Sequence, residues 1–364
     1  PSSTCRASEG VTRHEAVFAD AARLDRVADG GAALAVTSPP YPMIAMWDPL
    51  FAERGAGIEQ AEGRCDEAFE GMHRGLDAVW REVYRALAPG GIACIVVGDA
   101  TRTCDGVFRL FASHARVLAG CLAIGFQSLP GIIWRKTTNA PNKFMGSGML
   151  PPGAYVTLEH EHVLVLRKGA RRRFATAAER RLRAESAFFW EERNQWFSDV
   201  WFGLTGADQT LSAEDARSRS GAFPFELAYR LVNMFSVKGD TVLDPFAGTG
   251  TTMLAAMASE RHSISYEIDA AFRPVVEASA AALPACANRR IRERLERHRA
   301  FVEARARMGR PCANRNEPHD VACVSGQERH LLLREVAGVE RGDDGVFTVR
   351  YAPVRAPRAA EPER

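Results

Sequence analysis

The sequence predicts an α/β fold, a mostly parallel sheet with helices on both faces, on three observations. Strand-length apolar runs alternate with segments of helical periodicity. One such segment, between the second and third runs, carries Phe69, Met72, Leu76, Val79, Trp80, Val83 and Leu87 on one helical face. Residues 241–268 then read strand, glycine turn, helix, strand, the unit from which parallel sheets are built.

HEAVFAD (14–20) and AALAVT (32–37) are the first two strands. The helix with the Phe69 to Leu87 face follows, and PGG at 89–91 stops it, because proline and glycine end helical runs. GIACIVVG (91–98) is the third strand, and about Val107 to Ile124 is the next helix. GIIWRK (131–136) and EHVLVLRK (161–168) add two strands. Glu226 to Phe235 is a helix directly before the KGD turn, and TVLDPF (241–246) and HSISYEI (262–268) are the last clear strands. Three stretches break this rhythm. Residues 137–156 form a loop rich in Gly, Pro and Asn, of a length that in compact domains marks function or disorder. Residues 170–222 interleave arginines with Phe174, Phe188, Phe189, Trp190, Trp196, Phe197, Trp201 and Phe202. The tail from about Pro284 opens with an arginine-rich helix, its charges alternating with Glu293, Glu296 and Glu303, and ends in weak strand signals such as GVFTVRYAPV.

Bulk composition excludes more than it assigns. At 364 residues the chain can bury a large core, and a net charge of +2 names no partner. Arginines crowd 167–183 and 289–310; such blocks serve nucleic-acid binding in some proteins and plain solvated surface in more. No apolar run reaches membrane-spanning length and no signal peptide heads the sequence, so no membrane partner and a cytoplasmic location are expected. Eight cysteines lie scattered without a Cys-x-x-Cys pair, which predicts reduced thiols and no disulfide framework. Cys312, His319 and Cys323 match no usual zinc spacing, and no metal is expected.

Two motifs, far apart in the chain, carry chemistry. TSPPY (37–41) ends the second strand with a hydroxyl pair, two prolines and an aromatic ring, where an ordinary turn would use Gly, Asn or Asp. Prolines fix φ and carry no N–H, so the Ser38 hydroxyl and the Pro39 carbonyl stand as preset acceptors. The second motif is DPFAGTGTT (244–252). Gly248 and Gly250 allow a sharp bend and close approach of a ligand, and the helix N-terminus that follows offers N–H groups to an anionic moiety. About 20 residues on, Glu267 ends the next strand, suited to accept hydrogen bonds from two ribose hydroxyls. The turn lacks the third glycine of a dinucleotide fingerprint and the lysine of a P-loop; S-adenosylmethionine is the adenosine ligand that fits better.

TSPPYPMIAMWD together with DPFAGTGTT resembles the amino-methyltransferases that modify exocyclic amines of DNA bases, whose motifs are (D/N/S)-P-P-(Y/F) and F-x-G-x-G. IIWRKTTNAPNKFMGSGMLP, LEHEHVLVLRK and PFELAYRLVNMFS extend the resemblance, which covers about residues 14 to 283. The catalytic motif precedes the cofactor motif, as in the permuted beta group, and its serine is typical of the N4-cytosine enzymes of restriction–modification systems. The resemblance implies a Rossmann-like, S-adenosylmethionine-dependent methyltransferase domain over 14–283, with a catalytic half (14–169) and a cofactor half (222–283). It implies a target-recognition insertion at 170–222 and leaves 284–364 as an accessory tail without a role.

The expected catalytic residues are Ser38, Pro39, Pro40 and Tyr41. Ser38 and the Pro39 carbonyl would hold the hydrogens of the target amine and free its lone pair, while Tyr41 stacks on a base flipped out of the duplex. The methyl group would pass from sulfonium to nitrogen in one in-line displacement. S-adenosyl-L-methionine is expected against Thr37, Asp244, Pro245, Phe246, Ala247, Gly248, Thr249, Gly250 and Thr251. Glu267 would take the ribose, Asp20 would lie near the adenine amine, and Phe223, Pro224 and Glu226 would close over the methionine. Double-stranded DNA is the expected partner. Its candidate contacts are Lys136, Asn139, Asn142 and Lys143 in the long loop, Arg171, Arg172 and Arg173 for phosphates, and Asn194 and Gln195 for base edges. Asp48 and Asp99 either orient the base or a neighbouring side chain, or cap helices. Two alternatives stay open: adenine N6 as the target, and a non-catalytic DNA-binding protein on the same fold. A companion restriction endonuclease would be encoded elsewhere, and the sequence carries no signal for oligomeric state.

Overall fold

The computed structural model describes residues 10–58, 64–136, 145–204 and 223–354. The first half of the chain runs β1 (Val11–Phe18), β2 (Ala32–Thr37), α1 (Asp48–Glu53), α2 (Cys65–Ala86), β3 (Leu87–Val97), β4 (Ala100–Cys104), β5 (Val107–Phe111) and α3 (Ser113–Ile124). β6 (Phe126–Arg135), the short pair β7 (Met145–Gly146) and β8 (Ala154–Tyr155), and β9 (His160–Lys168) follow. The second half runs α4 (Ala177–Glu185), α5 (Trp190–Trp196), β10 (Val200–Trp201), α6 (Phe225–Phe235), β11 (Thr241–Asp244), α7 (Thr251–Ala258) and β12 (His262–Glu267). It ends with α8 (Arg273–Arg307), β13 (Asn314–Asn316), β14 (Val321–Cys323), β15 (Arg334–Arg341) and β16 (Phe347–Pro353).

Ten strands make one sheet in the order β10-β6-β9-β3-β2-β11-β12-β1-β16-β15. The central strands β3, β2, β11, β12 and β1 are parallel, with β9 and β16 antiparallel on either side. Their register aligns the C-terminal ends: Thr37 lies beside Ile95, Leu243 beside Ala35, Asp244 beside Ser265, and Phe18 beside Glu267. One rim of the sheet therefore gathers the ends of all these strands. The chain leaves β2 for β3 on one side and β11 for β12 on the other, so the order reverses between β2 and β11. In open parallel sheets such a reversal leaves a crevice beyond the strand ends, where ligands bind.

Burial on both faces explains the apolar runs. In β3, Cys94 and Val96 join Leu34 and Val36 in one core cluster, whereas Ala93, Ile95 and Val97 join another. α2 covers the second face with Leu76, Val79, Trp80 and Val83, residues its helical period brings together; α6, α7 and α8 cover the first. A smaller cluster packs Met43 and Phe51, from the segment after β2, against Cys65, Met72, Cys104 and Phe111.

The structure departs from the sequence reading at four places. Val107–Phe111 is a strand rather than the start of a helix: it pairs with β4 across Asp105-Gly106, both at positive φ, and the helix begins at Ser113. The boundary expected at 284 falls inside α8, a 35-residue helix with Pro284 in its interior, and β15 and β16 extend the sheet beyond β1. Residues 170–222, expected as a separate insertion, give β10 to the opposite edge and Phe189 to a core shared with Ile291, Leu295, Leu331 and Leu333. Finally, Cys65 and Cys104 form a disulfide that ties the start of α2 to β4, against the expectation of reduced thiols. Among the described residues no helix is long and apolar enough to cross a membrane.

Candidate active site at the C-terminal rim

The two motifs meet across the reversal point. Thr37 ends β2 and Asp244 ends the neighbouring β11, and the Thr37 hydroxyl donates to Asp244 Oδ1 at 2.7 Å. The Phe246 N–H donates to the same oxygen at 3.0 Å, which bends the chain into the glycine turn. From α7, the Thr252 hydroxyl donates to the Val36 carbonyl at 3.1 Å. Asp244 is buried, and burial pushes its carboxyl up to about 6 against the hydrogen bonds that favour its charge. The sequence puts Thr37 and Asp244 among the cofactor contacts, and their side chains lock the two strand ends together.

Gly248 takes φ +51° and Gly250 φ +83°, values that strain most side chains, and a Cβ added at Gly248 would meet nothing within 4 Å. The Gly248 N–H donates to Glu267 Oε2 at 2.7 Å and the Asp269 N–H to Oε1 at 2.9 Å, so the acidic strand end also holds the turn. Each carboxylate oxygen keeps a lone pair for a hydroxyl donor. Burial raises the Glu267 carboxyl above its ordinary value. Asp20 lies two residues past the end of β1, which pairs with β12; it is exposed, 3.0 Å from Arg54, and accepts from the Ala22 N–H. Pro245, Ala247, Thr249 and Thr251 are buried, with α7 starting at Thr251, and Phe246 stands edge-on to Trp80 at 5.8 Å. Open space at a glycine turn, a helix N-terminus and an acidic strand end in one crevice fit S-adenosylmethionine. The turn and helix N-terminus would hold its amino-acid end, and Glu267 its ribose.

Glu226 stands in the first turn of α6. Its carboxylate accepts from Arg230 at 2.8 Å and from Arg290 at 2.7 and 2.9 Å, which ties α6 to α8. Burial opposes its charge, yet the two guanidiniums hold the carboxyl below its ordinary value. Phe223 and Pro224 are buried where α6 begins, Phe223 within the main core.

At the end of β2, Ser38 is partly exposed while Pro39, Pro40 and Tyr41 are buried. Ser38 Oγ donates to Tyr41 Oη at 2.9 Å, and Tyr41 Oη donates to Glu161 Oε2 at 2.9 Å. Lys136 Nζ donates to Glu161 Oε1 at 2.7 Å. Gly98 makes room for the group: a Cβ there would lie 3.1 Å from Tyr41 Cε2 and 3.4 Å from Glu161 Cγ. Burial, then the charge of Glu161, push the Tyr41 hydroxyl well above its ordinary value, which keeps it a donor. The Tyr41 hydroxyl therefore braces Ser38. Asp99 caps α3, accepting from the His114 N–H at 3.1 Å and from His114 Nδ1 at 2.8 Å, and Asp48 pairs with Arg102 at 2.7 Å.

The DNA candidates separate. Lys136 follows β6 on the active rim, half exposed beyond its bond to Glu161. Asn139, Asn142 and Lys143 lie outside the described residues. Arg171, Arg172 and Arg173 lie at the other rim, because β9 runs antiparallel and delivers them there. There Arg172 pairs with Asp240, just before β11, at 2.7 and 2.9 Å, and its backbone packs on Gly90. Asn194 and Gln195 are exposed on α5, lining a cleft of about 470 Å³ with Arg290, Arg294 and Arg297 of α8. Glu161 is the residue that sequence reasoning missed. The signal is there: strand alternation puts it on the buried face with Val163 and Val165, where an acidic side chain needs a reason.

Known proteins agree with this geometry. Residues 32–277 match the model of the DNA methylase family that groups N6 and N4 enzymes. The type II methyltransferase M.MthZI of Methanothermobacter thermautotrophicus is 49% identical over 296 residues, 80% of this chain and 83% of that protein. M.MjaI, the type II methyltransferase of Methanocaldococcus jannaschii, is 47% identical over 280 residues, 73% and 91% of the two chains. A candidate DNA modification methylase of Thermus thermophilus, solved with S-adenosyl-L-methionine, superposes with a TM-score of 0.57 at 33% identity, covering 74% of this chain and 95% of that one. The crevice at the strand reversal and these likenesses lead to one conclusion: the chain belongs to the N6/N4 DNA methylase family, as a beta-group type II DNA methyltransferase that uses S-adenosyl-L-methionine.

Proposed function

We propose that the chain methylates the exocyclic N4 amine of a cytosine flipped out of double-stranded DNA, as the modification partner of a separately encoded restriction endonuclease. One observation carries the reading: the Ser38 hydroxyl and Pro39 carbonyl stand at the end of β2, across the reversal point from the Gly248 turn. A cytosine amine is a poor nucleophile because its lone pair is delocalised into the ring. Two acceptors holding its hydrogens draw the nitrogen toward tetrahedral geometry and release that pair. Ser38 and Pro39 supply them, and the prolines preset their positions without a competing N–H. The Thr37–Asp244 bond keeps acceptors and glycine turn in register. Bound in the crevice, S-adenosylmethionine supplies an electrophilic methyl group. The serine of the motif, typical of the N4-cytosine enzymes it resembles, favours the cytosine reading over adenine N6.

DNA is proposed to approach the active rim, where Lys136 and the exposed Met149 and Leu150 stand on the segment between β6 and β9. Incubation with varied duplexes and labelled cofactor, followed by nucleoside mass spectrometry, tests the reading. N4-methylcytosine is the expected product. N6-methyladenine would move the target to adenine, and no modified base would overturn both.

A further inference from the structure

We propose that Glu161 is a positioning residue for methyl transfer: through Tyr41 it fixes Ser38 as an acceptor. The inference rests on the function proposed above. A serine hydroxyl can donate or accept, and only an accepting Ser38 can hold an amine hydrogen. The direction is decided two bonds away. An ionised carboxylate can only accept, so the Tyr41 proton turns toward Glu161 Oε2, at 2.9 Å. The Tyr41 oxygen is then left to accept the Ser38 proton, also at 2.9 Å. Ser38 keeps only lone pairs for the crevice.

Burial makes this order durable. Glu161 is 7% exposed and Tyr41 8%, so water does not readily replace either partner. Lys136 Nζ, 2.7 Å from the other carboxylate oxygen, accompanies the buried charge. Gly98 contributes by having no side chain, since a Cβ would press on both Tyr41 and Glu161. Strand pairing fixes the height of Glu161, whose neighbour His162 lies beside Val97 at the end of β3.

The test compares Glu161→Gln, Tyr41→Phe and the double variant at saturating DNA and cofactor. Each single change should lower kcat about 10- to 100-fold, while calorimetric affinity for S-adenosylmethionine stays within about twofold. The double variant should be no slower than the slower single one, because both cut the same chain of bonds. Adding Glu161→Gln to Ser38→Ala should cost nothing further. A wild-type kcat in Glu161→Gln, or effects that multiply independently, would overturn the proposal. Should Glu161→Gln fail to fold, Tyr41→Phe, nearly isosteric, decides alone: an unchanged kcat overturns it. Failure of the functional reading looks different, since then the wild-type chain makes no methylated cytosine.

Discussion

The two rims of the sheet carry similar residues and use them differently. On the active rim, polar groups bond to one another and leave capacity over: Ser38 keeps its lone pairs, Glu267 holds the glycine turn and can accept more, and the space at Gly248 is open. On the opposite rim several of them close on one another. Arg172 closes on Asp240, Lys238 on Glu260, Glu260 also on Arg334, and Arg261 on Ser236. An arginine cluster thus says less about binding than the direction of the strand that delivers it. Parallel strands bring distant motifs to one rim; a single antiparallel strand takes a promising sequence to the other.

Four variants probe that contrast, from the largest effect down. Ser38→Ala removes an acceptor for the target amine, so kcat should fall by about 100-fold or more with cofactor affinity intact, as single-turnover rates and calorimetry would show. A rate near wild type would take Ser38 out of the chemistry. Glu267→Gln should weaken S-adenosylmethionine binding about 10- to 100-fold, because it loses the charge from bonds to the turn and the ribose. Unchanged calorimetric affinity would move the ribose elsewhere.

Asp244→Asn probes the lock between the strands. The carboxyl, pushed up from 3.8 to about 6, binds its proton more tightly in the folded than in the unfolded chain. Its favourable contribution is present at low pH and is lost as pH rises through that window; above it the buried charge costs roughly 3 kcal/mol. Asparagine keeps an acceptor for Thr37 and Phe246 without the charge. The thermal midpoint of Asp244→Asn should rise by about 5 °C over wild type at pH 8 and change little at pH 4. A lower midpoint at pH 8 would mean that the charge itself holds the strand ends. The smallest effect belongs to the opposite rim. Arg171→Ala with Arg173→Ala should change DNA affinity by less than about twofold at fixed salt, whereas a loss of tenfold or more would bring the duplex to that rim.

Much of the site was legible because it is built from local signals. TSPPY and DPFAGTGTT each mark a strand end, and two strand ends are what a reversal point brings together. The seven strands read as apolar runs all exist, since burial on both faces makes such runs conspicuous. What stayed hidden depends on pairing. The hold of Arg290, from α8, on Glu226 cannot be read from either segment alone. Arg171 to Arg173 read as DNA contacts because charge is visible in a sequence and the rim is not. Cys65 and Cys104, 39 residues apart, meet only because β4 folds back to α2. Asp105-Gly106 was a readable exception, a hairpin signal directly before an expected helix.

A crystal structure of the chain with S-adenosylmethionine tests the shared crevice most directly. The ribose is expected at Glu267, the amino-acid end at the Gly248–Gly250 turn, and the reactive methyl group facing Ser38 and the Pro39 carbonyl. A cofactor seated away from the β2–β11 reversal, or with its methyl group turned from Ser38, would contradict the proposed chemistry.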